Sequence, residues 1–219
     1  QLDFPSRSGT GRCFRRRGPF ALAFPLGRYS PAHRPQSQDA GTGCIAPTAT
    51  GWLVVSGAPY NHKGNPTAVV LSDDGATRER HDFDEPIQAC SILPMPHGFL
   101  VAYTHAGPVS ETAWLFTREL DEHGRARAAG TRVGDVGFAT SPTLVRAAKP
   151  VLLFADALGR NLSAVLLDAR GAARSRPVDL AETYGLAGFA LWGGEIVWAS
   201  NAGVGRRACL DELLAAATR

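Results

Sequence analysis

The residues whose types could carry chemistry gather in four short stretches: 58–66 (APYNHKGNP), 105–111 (HAGPVSE), 156–161 (DALGRN) and 201–206 (NAGVGR). They hold Tyr60, Asn61, His62, Lys63, His105, Glu111, Asp156, Arg160, Asn161, Asn201 and Arg206. Glu111 and Asp156 are the acidic pair of this set, and acid–base cleavage of a glycosidic bond needs two carboxylates facing each other. Arg160 and Arg206 would then serve as clamps for anionic groups. Without facing carboxylates, the same side chains make a polar surface for a protein or glycan partner. Polar residues are also what any solvated loop carries.

Other chemistry is excluded by spacing. Gly41-Thr42-Gly43-Cys44-Ile45-Ala46 fits GxGxxA, but it follows a linker and runs into Pro47 instead of opening a helix, so it is not a dinucleotide loop. No GxSxG elbow exists. Ser72-Asp73-Asp74-Gly75-Ala76-Thr77 is one residue short of the Asp-box turn of sialidase-type propellers and lacks its closing tryptophan. The six histidines (His33, His62, His81, His97, His105, His123) are read as lacking the i,i+2 or i,i+4 spacing with carboxylates that metal sites use, so neither metal nor cofactor is expected. Asn161-Leu162-Ser163 is a glycosylation sequon.

The four stretches are placed by a repeat. GWLVVSGA (51–58), GFLVAYTHA (98–106), KPVLLFADA (149–157) and GEIVWASNA (194–202) align on Leu53, Leu100, Val151 and Ile196, with spacings of 47, 51 and 45 residues. Each run is apolar on both alternating faces, so each strand must be covered on both sides. A second column follows in AVVLSDDG, TRELDEHG and AVLLDARG: Leu71, Leu120 and Leu167, then a polar or acidic residue, two variable positions and glycine. That ending predicts a hairpin turn in which glycine supplies a positive φ. CIAPTA, ACSILPM, TLVRAA and GFALW precede the main runs as further strands, and TRERHDF, TRVGDV and SRPVDL follow the turns.

The pattern predicts an all-β chain of three or four antiparallel strands per unit, with units at about 41–83, 84–133, 134–180 and 181–219. All-β units of this period, apolar on both faces, predict a β-propeller-like array of about four blades. In the last unit, Leu210-Asp211-Glu212 meets Leu214 where glycine is expected, so a short helix or an incomplete blade is expected there. The ring would be left incomplete, or closed by a strand from the N-terminal segment, of which GPFALAF is a remnant candidate.

Units of the form G-[WF]-L-V-x-…-L-[SD]-x-x-G resemble the β-propeller repeats of bacterial cell-surface and secreted proteins, over residues 41–212. The resemblance implies a fold and a binding habit, not an activity. It also implies, with the arginine-rich composition, an exported bacterial protein. WD and kelch signatures are absent.

Composition limits the partners. At 44% hydrophobic and 20% charged the 219-residue chain has globular composition, and no run reaches the ~18 apolar residues of a membrane helix. Residues 1–40 carry seven arginines against Asp3 and Asp39, a charge of +5, so the rest of the +3 chain is −2. Arg12–Phe20 reads as an anion-binding arm or as a solvated terminus, and the acidic body makes nucleic acid the less favoured partner. Cys13, Cys44, Cys90 and Cys209 show no CxxC, and three pairings stay open. Cys44 lies nine residues before Leu53 and Cys90 ten before Leu100, an arrangement read as side by side and pointing the same way. That suits buried thiols as well as a bridge. Three functions remain: a non-catalytic binding or scaffold module, a propeller-type glycan hydrolase, and a structural fragment of a larger array with open strand edges prone to association.

Overall fold

The computed structural model describes residues 43–57, 66–106, 112–137, 142–147, 149–155, 161–182, 186–192, 195–200, 205–210 and 215. It is all-β. Strands β1 (Gly43–Thr48), β2 (Gly51–Ser56), β3 (Thr67–Ser72) and β4 (Thr77–Asp82) form the first antiparallel sheet, each strand beside the next in sequence. The second sheet repeats that order with β5 (Ala89–Met95), β6 (Gly98–Ala106), β7 (Thr112–Leu120) and β8 (Thr131–Gly137). The third does so with β9 (Thr143–Arg146), β10 (Pro150–Ala155), β11 (Asn161–Leu166) and β12 (Val178–Glu182). A fourth sheet has three strands among the described residues: β13 (Leu186–Trp192), β14 (Glu195–Ser200) and β15 (Gly205–Cys209). Each expected main run is the second strand of its sheet. Asp211–Leu214, where the helix or incomplete blade was expected, lie outside the described residues.

The sheets pack face to face in series, because each main strand carries apolar residues on both sides. Leu53, Val55, Ala68 and Val70 of the first sheet meet Phe99, Val101, Tyr103 and Leu120 of the second. On the opposite face of the second sheet, Leu100, Ala102, Ala113 and Leu115 meet Leu152, Phe154, Val165 and Leu167 of the third. Val151, Leu153, Leu162 and Ala164 of the third then meet Ile196 and Leu210. Burying an aliphatic side chain of this size stabilises by about 1.5–3 kcal/mol, so these three seams hold the body together. First strands of successive sheets lie close, β1 by β5 and β5 by β9. The last two strands of each four-stranded sheet pair with a register shift, at Val70/Leu71, Leu115/Phe116 and Leu162/Ser163. Such bulges bend and twist the outer strand.

The Leu-x-x-x-Gly column forms the expected turns. Gly75, Gly124 and Gly171 have φ of 84°, 79° and 87°, in the left-handed region that a side chain resists. Asp121 Oδ1 accepts from the amides of His123 and Arg125, and Asp168 Oδ1 from those of Arg170 and Ala172, all at 2.9 Å. In the first unit Asp74 takes over this role, accepting from the Ser72 hydroxyl at 2.5 Å and the Ala76 amide at 3.2 Å. These bonds hold the Asp74 carboxyl below its usual range, Ser72 contributing most. The second and third of these turns also lock their sheets onto the one before. A Cβ at Gly124 would stand 3.0 Å from Leu53 Cδ1, and one at Gly171 2.6 Å from Leu100 Cδ1.

Cys44 and Cys90 form a disulfide between β1 and β5, with Cα atoms 5.7 Å apart. The expectation that the two cysteines point the same way is corrected. Cys44 pairs with Val55 and Cys90 with Tyr103, and the difference between nine and ten residues before the aligned leucines moves Cys90 one position along its strand. A shift of one residue turns a side chain to the other face of a sheet. Cys44 therefore faces forward and Cys90 backward, towards each other. Ser91, at the second-sheet position equivalent to Cys44, faces forward and accepts the Leu144 amide at 3.0 Å.

Candidate functional site

Both ends of the stack offer chemistry. Because Gly124 and Gly171 dock beside the start of the preceding main strand, β2, β6 and β10 run the same way. The connections that follow β2, β6 and β10 therefore leave at one end, as the repeat predicts. Of the expected loop residues, Tyr60, Asn61, His62, Lys63, Glu111, Asp156, Arg160 and Asn201 lie outside the described residues. Three others fall on strands instead of loops. Asn161 opens β11 opposite Glu182, Arg206 sits on β15 opposite Trp198, and His105 is on β6, which runs through Ala106.

His105 is half-buried and stands opposite Trp114 in the β6–β7 register. Its ring meets the Trp114 ring edge-on at 5.6 Å and lies 6.3 Å from Phe116. The Arg132 guanidinium stands 5.0 Å over the Trp114 ring, a cation–π contact. Trp114 and Arg132 were missed as site residues from sequence. The signal was available, since alternate positions Trp114 and Phe116 share a face across from His105 once the hairpin register is drawn. This group places a flat aromatic surface, an imidazole and a guanidinium together at the loop end.

Beneath it, the seam between the first two sheets is polar. The buried Tyr103 hydroxyl donates to the Glu85 carboxylate, and burial, then that carboxylate, pushes the phenol pKa up. Arg118, also buried, donates Nε–H to Ala128 O at 3.0 Å and lies 5.2 Å over the Phe83 ring. Gly130 is required here: a Cβ would stand 2.1 Å from the Tyr103 oxygen.

At the opposite end a cleft of about 470 Å³ opens between the first and second sheets, lined by Thr50, Arg78, Glu79, Met95, Phe99 and His123 among others. Glu79 is its centre. His123 Nδ1–H donates to Glu79 Oε1 at 2.7 Å, and His81 Nε2–H donates to Oε2 at 3.3 Å. The Arg125 guanidinium is 3.8 Å from the same carboxylate. The bond from His123 chiefly, with His81 and Arg125 behind it and desolvation opposing, holds the Glu79 carboxyl below its usual range. The reading of the histidines is corrected here, because Glu79 and His81 are two residues apart and share a face of β4. His123 joins them from the second unit's turn, 44 residues from Glu79. Among the described residues no group of three or more His, Cys, Asp and Glu side chains is placed to hold a metal ion. The Glu79 carboxylate is held by groups of both units, and Arg78 donates to Thr50 Oγ1 at 2.9 Å, so the cluster works as a fastener between units.

No helix of the described residues is long and apolar enough to cross a membrane. No known family model matches the chain, and comparison with curated proteins finds no match.

Proposed function

We propose that the chain is a non-catalytic binding or scaffold module, a propeller-like array whose loop end receives a protein or glycan partner. The group His105–Trp114–Arg132 carries this reading. It sets an aromatic ring and a cation at the end of the sheets from which the connections after β2, β6 and β10 emerge. Aromatic faces with flanking donors suit sugar rings and peptide side chains alike. The face-to-face stacking of repeated sheets, with neighbouring first strands, supports the propeller-like arrangement. The cleft at the other end is the weaker candidate because its carboxylate is held by two histidines and an arginine.

The test is a binding screen of the full chain against an array of neutral and acidic oligosaccharides and a displayed peptide library. Binding to members of one class is expected, weakened tenfold or more by Trp114→Ala and by the surface change Arg132→Ala, and unchanged by His123→Ala. An absence of binding overturns the proposal, as does a loss that follows His123 instead of Arg132.

A further inference from the structure

The cleft at the turn end holds a pair of acceptors that the fastening of the seam leaves unused. His123 Nδ1–H donates to Glu79 Oε1 at 2.7 Å, which leaves the lone pair of the neutral ring on Nε2. That nitrogen stands 3.8 Å from Glu122 Oε1, too far for a direct hydrogen bond, and both side chains line the cleft. A lone pair and a carboxylate oxygen this close repel unless a donor joins them. Among the described residues this is the one ion-pair contact of Glu122, because Arg125 is drawn to Glu79 and Arg78 to Thr50 Oγ1. Another part of the lining is apolar. Val70 of the first unit and Met95, Pro96 and Phe99 of the second border the same space of about 470 Å³, which is the size of a small-molecule site.

We propose that the cleft is a second binding site, taking a small primary ammonium ion with an apolar body. An ammonium has three N–H donors and no acceptor, so it can give one to His123 Nε2 and one to Glu122 Oε1 and keep the third for water. Its charge answers the Glu122 carboxylate, which a hydroxyl would leave unmatched and an anion would oppose. The hydrocarbon body lies along Met95, Pro96 and Phe99, where its burial removes apolar surface from water. Glu79 keeps its place in the seam, and through its bond to Nδ1 it positions the imidazole. The ligand thus touches both units and closes the same seam that Glu79 and His123 fasten. Glu122 is 82% exposed, so water competes for it and the affinity is modest, about 1 mM for an amine of this size. Nothing in this site depends on the loop end.

The test titrates the full chain with 2-phenylethylamine near neutral pH, read by calorimetry and by the ring resonances of His123, which His123→Ala identifies. Saturable binding that moves those resonances is expected. 2-Phenylethanol lacks the charge and methylamine lacks the body, so each should bind about tenfold more weakly, and 3-phenylpropionate should not bind. Glu122→Gln should weaken 2-phenylethylamine about fivefold while the circular dichroism and the urea midpoint stay those of the parent. Equal binding of the amine and the alcohol, or of the two amines, overturns the proposal, as does an affinity unchanged by Glu122→Gln. Absence of binding also overturns it, since His123 would then carry the bridging proton to Glu122 itself. Tighter binding of Nα-acetyl-lysine amide than of 2-phenylethylamine would move the ammonium onto a protein side chain and overturn the small-molecule site.

Discussion

Between the first and second sheets Gly124 rests on Leu53, and between the second and third Gly171 rests on Leu100. The geometry is the same and the chemistry is not. The first seam adds a disulfide, a buried tyrosine–carboxylate bond, a buried arginine and the Glu79–His123 contact. The second is chiefly aliphatic, joined by the Thr117 hydroxyl donating to Gly171 O at 2.7 Å and by Ser91 accepting from the Leu144 amide. Thr117 has Ala68 as its first-unit equivalent, which has no such donor. The repeat thus specifies how sheets meet and leaves each seam to be fastened by local means.

The largest effect should come from the covalent fastener. Cys44→Ser with Cys90→Ser is expected to cost about 2–4 kcal/mol in urea unfolding, since the bridge closes a long loop in the unfolded chain. A loss under about 1 kcal/mol would mean that the first seam gains little from it.

Substitutions at the turn glycines sharpen the comparison. Gly171→Ala should cost about 3 kcal/mol, Gly124→Ala about 2 and Gly75→Ala about 1, because all three suffer left-handed strain and only the first two also crowd a leucine. The same unfolding curves give the ranking. Equal losses at all three would show that the turn alone matters and the docking does not.

The smallest effect is electrostatic. Glu79 has a folded pKa below its ordinary value of 4.5, so the unfolded chain takes up its proton first. Its contribution is therefore full above about pH 4.5 and is lost as the pH falls through the lower folded value. The melting temperature of the parent should exceed that of Glu79→Gln at pH 6, and the gap should close towards pH 3. A gap independent of pH would remove Glu79 from the fastening of this seam.

Much of the scaffold was legible in the sequence because its signals are local. A strand apolar on both faces, as at Gly98–Ala106, and a Leu-x-x-x-Gly turn are each complete within nine or fewer residues. The seams were not legible, since Glu79 and His123 meet only after two sheets have stacked, and their pairing leaves no mark in either segment alone. The cysteine offset was visible but was read without its consequence for side-chain direction. The loop residues proposed from sequence fall mostly outside the described structure, and His105 acquires its meaning from Trp114, a partner named only by the strand register. Trp52 shows the opposite failure. Its strand has the same alternation as the buried ones, yet its outer side is open among the described residues.

The docking of Gly124 and Gly171 onto the preceding sheets gives the molecule a direction. The second unit grips the first and the third grips the second, so a ribosome delivering the chain supplies these sheets with their foundation already in place. Contacts between neighbouring units are short in sequence, as in other repeat proteins, and growth is expected to proceed stepwise from the first sheet onwards. Among the described residues the first sheet is thus the one on which the next two are built, and its outer side is open.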